Sequence, residues 1–458
     1  MHPQLARAAQ IASDHVENHD TRPISLEPDP MALREALARA LTEDGVDPEV
    51  VLDEFVRDAR EGLLDTPSGR FFGWVIGGTL PVALAADWLT SAWDQNAAAS
   101  GCSPASAIVE EVAGGWLRSL LGLPETCSFA FVTGCQMAHV TALSAARHRV
   151  LAEHGWNVET QGLAGGPPIR VLVGEHHETL LRALRQIGIG TDAVVQVGQN
   201  DDGTIDTDDL ARVLASDTVA PTIVSLAAGD LNRGAFDDFG TACDIAHEHG
   251  AWVHVDGAFG LWAAASPRFR HLVEGVEKAD SWATDAHKWL NVPYDSGIAF
   301  VADVEAHTTS MAMNAAYKVD VEGVRDQFEW GPEWSRRARA NPIYAALRTL
   351  GRRGVADLVE RCCDHAAALV DALDGVDGVE IVHRPIINQA LVRFVAADGD
   401  HDAHTDEIIR RVNATGEAWF GPTTYRGMRV MRISVCNHRT TARDIERAAA
   451  AVAGALGT

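Results

Sequence analysis

Asp285-Ala286-His287-Lys288-Trp289 follows a short apolar run at residues 281–284, and it decides how the rest of the chain is read. The run is long enough for one buried strand, and the polar cluster falls at its carboxyl end, where open α/β sheets bind ligands. Lys288 is poor surface filler, because Trp289, Leu290 and Val292 follow it. An amine in such a setting can have its pKa lowered and attack a carbonyl, although an isolated His-Lys pair also suits a snorkelling surface lysine. The only other lysines are Lys278 and Lys318, so the search for a reactive amine has three positions.

Working outward, further strands are expected at 129–133, 170–173, 193–197, 222–226, 252–256 and 297–301, with helical patterns such as 180–186 and 239–249 between them. This alternation predicts an α/β fold with a mostly parallel seven-stranded sheet and helices on both faces. Upstream, helices are expected at 31–41, 48–63, 81–93 and 106–121. Downstream, 307–332 reads as loop. Strands near 379–382, 390–394 and 429–435, with helices at 406–413 and 442–456, suggest a small C-terminal α/β domain. The expected organisation is a helical segment at 1–75, a large domain at 76–345 and a small one at 346–458.

Three more features fall at strand ends. His254-Val255-Asp256-Gly257-Ala258 places His254 and Asp256 on one face of a strand. The carboxylate at its end can reach a flat ring, and by itself it equally suits a metal or a cap. Thr133-Gly134-Cys135-Gln136-Met137-Ala138 links a strand to a helix, and free N–H groups at a helix start favour a phosphate. It is neither a Walker loop nor a G-x-G-x-x-G, and alone it is an ordinary turn. Glu175-His176-His177-Glu178 offers imidazoles that can stack on a ring and move protons near neutral pH. Adjacent histidines diverge and no H-x-x-x-H partner is present, so no metal is expected.

Taken together, the order of phosphate turn, histidine, aspartate and lysine resembles the fold-type-I pyridoxal-5′-phosphate (PLP) enzymes. Within them it resembles the group II amino-acid decarboxylases, which include the aromatic-amino-acid and glutamate decarboxylases. The resemblance runs from about Phe71 to the C-terminus, and the paired H-V-D-x-A and H-K-W segments are its specific part. It implies that Lys288 carries PLP as a Schiff base and that Asp256 pairs with the pyridine nitrogen. Ala258 would lie on one ring face and His177 on the other. His177 is preferred to His176 by its spacing from Gly188-Ile189-Gly190. Gly134, Cys135 and Gln136 would lie at the phosphate, with Ser281 and His287 close to it. Tyr317 would fall where family decarboxylases carry a loop tyrosine that reaches the neighbouring subunit's site. The chain departs from the family pattern at Cys135, Gln136, His139, Asp230-Leu231 and Asp285-Ala286. Asp285-Ala286 replaces the usual Asn-Pro, and the departure at Asp230 puts a carboxylate where a phosphate would make it unwelcome.

The resemblance implies a homodimer, with its active site at the subunit interface, that decarboxylates an L-amino acid to the amine and CO2. The alternatives are decarboxylation-coupled oxidative deamination to an aldehyde, aminotransferase or aldolase chemistry, and a PLP-binding regulatory protein without turnover. Phe71, Phe72, Trp74 and Trp93 lie near segments that line the family's side-chain pocket and lean toward an aromatic or apolar substrate. With 12 tryptophans in the chain, core packing accounts for most such rings. A net charge of −26, spread along the chain, argues against nucleic acid or anionic membrane as a partner. The seven cysteines show no C-x-x-C spacing, which suits a reducing compartment. Without a basic start leading into an apolar stretch, or a segment long enough to span a bilayer, a soluble cytoplasmic protein is expected.

Overall fold

The structure, a computed structural model, describes residues 2–25, 28–313 and 321–457. It divides into two compact units, one of residues 79–364 with 385–389, the other of residues 1–78, 365–384 and 390–458.

The first unit is built on seven strands: β1 (Ser128–Val132), β2 (Arg170–Val173), β3 (Val194–Gln196), β4 (Thr222–Ala227), β5 (Trp252–Asp256), β6 (Ser281–Asp285) and β7 (Gly297–Val301). Their order is β1-β7-β6-β5-β4-β2-β3. The run from β3 through β2, β4 and β5 to β6 is parallel, and β7 is antiparallel to both its neighbours. Strands β1, β6 and β7 are buried at every residue, so they read as continuous runs rather than alternating ones. Helices cover both faces. Proline at the first helical position opens Pro81–Trp93 and Pro104–Leu120, where its missing N–H costs nothing.

Register aligns the carboxyl ends on which the site is built. Ala227 of β4 lies beside Asp256 of β5, and Asp256 beside Ala283 of β6. Gly297 faces Val132 across the β1–β7 pair. A Cβ on Gly297 would sit 2.4 Å from Gly134 Cα, so only glycine lets the turn after β1 lie against β7.

Of the stretch 307–332, expected as loop, residues 307–311 are helical and 327–329 form a helical turn. The helix Val304–Met311 is capped by Asp303, whose carboxylate accepts from Ala306 N–H at 2.9 Å. His307 on this helix is fully buried. Further on, the Arg325 guanidinium is held between the Phe129 and Trp330 rings, at 4.5 and 4.3 Å from their centroids. Pairing with distant aromatic rings holds this segment, and the local residue pattern does not reveal that.

The second unit carries a four-stranded sheet, β8 (Val379–His383), β9 (Gln389–Phe394), β10 (Gly421–Tyr425) and β11 (Met428–Ser434), in the order β10-β11-β9-β8. Strand β10 is absent from the sequence reading. Its Pro422 and two threonines look like turn, and proline is tolerated there because β10 is an edge strand. Arg426 and Gly427 link it to β11, both at positive φ, as a two-residue hairpin turn requires. The N-terminal residues belong to this same unit rather than forming a segment of their own. Phe71 stacks on Trp419 and Phe72 on Phe420, at centroid distances of 4.7 and 5.2 Å. Buried Arg70 donates to the carbonyls of Glu417 and Arg22, each at 2.7 Å. The helices expected at 31–41 and 48–63 are shorter, Pro30–Leu37 and Pro48–Ala59, and a further helix, Pro3–Glu17, precedes them.

Candidate active site

The turn after β1, the end of β5 and the turn after β6 converge on one group of side chains. Lys288 Nζ lies 3.0 Å from Asp285 Oδ2, and both side chains are largely buried. The other Asp285 oxygen accepts from Cys135 N–H at 2.6 Å, at the start of the helix Cys135–Ala152. Asp285 therefore neutralises an N–H that a helix start leaves without an intrahelical partner. His287 joins from the same side, its Nε2 3.5 Å from Asp285 Oδ1, while its Nδ1 accepts from Ser296 N–H at 3.2 Å. The expectation of a depressed lysine pKa is overturned. Burial alone would lower it, but the Asp285 charge outweighs burial and holds the ammonium above the ordinary lysine range.

Asp256 is the second anchor. Its Oδ1 accepts from Ala258 N–H at 3.1 Å, the Cys135 thiol lies 3.8 Å from the same oxygen, and His139 Nε2 lies 3.4 Å from Oδ2. Burial would raise this carboxyl, but the His139 ring, Lys288 and the Ala258 N–H together hold it well below the usual carboxylate range. The Cys135 thiol moves the other way, pushed well above its ordinary value by burial and the two aspartates, so it stays a neutral thiol.

Behind Asp256 runs a buried chain of rings. His139 Nδ1 lies 2.9 Å from His254 Nε2, His254 Nδ1 lies 2.9 Å from Ser281 Oγ, and the Trp252 indole donates to that same oxygen at 2.9 Å. Burial drives His254 down to about 3 and does the same to His307. Both rings are neutral in the folded protein and take a proton once unfolded, so stability is lost as pH falls below about 6.5. The unfolding free energy from urea melts should fall from pH 7 to pH 4, by on the order of 3 kcal/mol per histidine. The slope should be shallower in His307→Asn, and an unchanged slope in that variant rules its ring out as a source.

A cavity of about 210 Å³ opens beside Asp256 and is also lined by His176, His177, Ser225, Ala227 and Asp230. His177 caps the helix Glu178–Gln186, its Nδ1 accepting from Thr179 N–H at 3.2 Å, so a neutral ring carries its proton on Nε2. Asp230, a concern as a carboxylate near a phosphate, lines this cavity but is engaged by its own loop. Its oxygens accept from the N–H groups of Asn232, Arg233 and Ala235, at 2.8, 3.0 and 2.7 Å.

Lys288, Asp256, His177, Ala258, Gly134, Cys135 and His287 thus fall in one neighbourhood. Gln136 stands in the turn, but its Nε2 donates to Gln186 Oε1 at 3.2 Å. Ser281 is not brought there. It opens β6 while Asp285 closes it, about 13 Å further on at strand rise. Its hydroxyl serves Trp252 and His254 instead. Tyr317 lies outside the described residues. Sequence reasoning missed Trp252 and gave His139 no role; the available signal was the shared face of His254 and Asp256.

The donor set fits PLP. A buried amine can bind an aldehyde, a carboxylate held ionised can pair with a protonated pyridine, and an imidazole lines the cavity beside that carboxylate. Gln136 Oε1, Thr284 Oγ1 and Ser296 Oγ are buried around the same turns with no hydrogen-bond partner among the described residues.

A family model, the pyridoxal-dependent decarboxylase conserved domain, matches residues 30–396. The aromatic-L-amino-acid decarboxylase of Bacillus atrophaeus is 25% identical over 454 residues, covering 96% of this chain and 92% of that protein. Tryptophan decarboxylase 1 of Oryza sativa subsp. japonica is 27% identical over 463 residues, covering 94% and 88%. Among solved structures, Oryza sativa TDC with PLP and tryptamine matches with a TM-score of 0.92 at 25% identity, covering 99% of this chain and 97% of that one.

Proposed function

The chain belongs to the pyridoxal-dependent decarboxylase family and is a PLP-dependent lyase acting on an amino acid, and from that premise we propose that its substrate is an aromatic L-amino acid, released as the amine and CO2. The observation that carries the substrate class is the similarity, over nearly the whole chain, to relatives named for aromatic substrates. Incubation with a panel of L-amino acids, reading CO2 and amine, tests it. Turnover confined to glutamate or aspartate overturns it.

When bound, PLP supplies an electron sink for the pair released as the Cα–carboxylate bond breaks. Lys288 holds the cofactor covalently through Nζ. Asp285 Oδ2, 3.0 Å away, is the acceptor in reach for the ammonium proton that must leave before the amine can attack. Asp256 keeps the pyridine nitrogen protonated by staying ionised. His177 and Ala258 would hold the ring, and Gly134, Cys135 and Gln136 would hold the phosphate end, where the phosphate would have to displace Asp285 Oδ1 from Cys135 N–H and Gln186 from the Gln136 amide. Tyr317 returns a proton to Cα and keeps water and oxygen out.

The aldehyde-forming alternative turns on that last step. Tyr317→Phe should bind PLP normally, slow amine release on the order of 10²-fold, and raise oxygen-dependent aldehyde and peroxide. Amine formed at the wild-type rate removes Tyr317 as donor. Aldehyde as the main wild-type product replaces the amine reading.

The working form is a homodimer with the active site at the subunit interface. Met31, Leu37, Val50, Val51 and Phe55 are exposed on the helices Pro30–Leu37 and Pro48–Ala59, and a second copy covers them. Light scattering at a monomer mass refutes this. A cytoplasmic location accords with the free state of all seven cysteines. No described helix is long and apolar enough to cross a membrane.

A further inference from the structure

The buried rings behind Asp256 have a direction. An indole N–H can only donate, so Ser281 Oγ accepts from Trp252 at 2.9 Å. The Ser281 hydroxyl proton has one acceptor in reach among the described residues, His254 Nδ1 at 2.9 Å. With Nδ1 accepting, a neutral His254 carries its proton on Nε2 and donates it to His139 Nδ1, 2.9 Å away. His139 then carries its own proton on Nε2, which faces Asp256 Oδ2 at 3.4 Å. Every donor meets an acceptor in this arrangement, and neither ring bears a charge. Reversing it would turn a bare nitrogen of neutral His139 toward a carboxylate, with only the Cys135 thiol 3.5 Å away to donate to it, and would strand the serine proton. His139, His254 and Ser281 are each fully buried, so no water can make up the difference.

We propose that Trp252, Ser281, His254 and His139 form a one-way hydrogen-bond relay whose last donor, His139 Nε2–H, positions Asp256 and keeps it an acceptor for the protonated pyridine nitrogen of PLP. The proposal rests on the functional reading above and adds four positioning residues to it. None of them touches the cofactor; they act through Asp256. The side chain at 139 thereby sets how firmly the ring proton is held, and so the strength of the electron sink. Ser281, expected at the phosphate, instead joins Trp252 to His254 in this chain.

The test uses the full-length, PLP-saturated protein and three readouts that do not depend on turnover. Side-chain ¹⁵N spectra should find His139 and His254 as neutral Nε2–H tautomers at pH 7.5. The ¹⁵N shift of labelled PLP should report a protonated pyridine nitrogen in the wild type and a partial loss of that signature in His139→Leu. The PLP dissociation constant should rise about tenfold in His139→Leu. His139→Asn, which restores an N–H donor, should recover both the shift and the affinity. A cationic or Nδ1–H His139, or a His139→Leu protein with unchanged PLP affinity and pyridine shift, overturns the relay. Should the leucine variant fail to fold, the tautomers in the wild type and the asparagine variant decide alone. A wild-type protein that takes up no PLP overturns the functional reading, and the relay with it.

Discussion

Lys288→Ala eliminates turnover and the borohydride-reducible link to PLP, while the protein still folds. Of the three lysines, Lys278 is exposed and bound by both oxygens of Asp244, at 2.7 and 2.8 Å. Lys318 lies outside the described residues. Lys288 alone is placed at the end of a central strand, with a carboxylate 3.0 Å away to take its proton. Replacing it leaves Asp285 its bond from Cys135 N–H, so the buried carboxylate keeps a partner and the fold tolerates the loss. The expected fall in kcat is at least about 10³-fold, since without the amine there is no covalent attachment to exchange with substrate. Peptide mapping after reduction checks the assignment. A pyridoxyl group on Lys278 or Lys318 in the wild-type protein refutes it.

Asp256→Ala lowers the chemical rate by about 10³-fold and weakens PLP binding. The carboxylate receives Ala258 N–H, faces His139 Nε2 and lines the cavity with His177. On the proposed pairing, its removal would deprive the pyridine nitrogen of its anionic partner, and the ring would lose much of its capacity to accept electrons. It also leaves the His139 N–H buried without an acceptor, a cost of about 1–3 kcal/mol. Single-turnover CO2 release at saturating PLP isolates the chemical step from cofactor loss. A near-wild-type rate there contradicts the role of Asp256, whereas Asp256→Asn should keep more affinity than alanine but little of the rate.

Much of this was legible in the residues, for identifiable reasons. The buried strands announce themselves as apolar runs, and all seven in the first sheet end within one residue of where the pattern places them. His254 and Asp256 share a face by the two-residue period of a strand, which the register with β6 bears out. What escaped depends on distance in space rather than in sequence. The partner of Lys288 is three residues away and could have been named, yet Asp285 was noted only as a departure from the usual Asn-Pro, while Asp230 raised the concern of a carboxylate near a phosphate. The N–H groups of its own loop claim that carboxylate. Ser281 was placed at the phosphate by the resemblance, although an extended strand carries it about 13 Å from Asp285. Strand β10 hid behind a proline that only an edge position permits. Trp252 was read as one more core ring, because its indole proton matters only through the serine it meets.

The pairing of Phe71 and Phe72 with Trp419 and Phe420 sets a schedule for biosynthesis. Arg70 bonds a carbonyl 347 positions further along the chain, so it leaves the ribosome long before its partner does. In that interval residues 79–364 emerge whole, with every strand of the larger sheet among them, and can fold as a unit while the leading segment stays unpaired. A message cut short after residue 364 would therefore yield a formed large unit trailing two bare phenylalanines and an unsatisfied arginine, which is the kind of surface chaperones and proteases recognise.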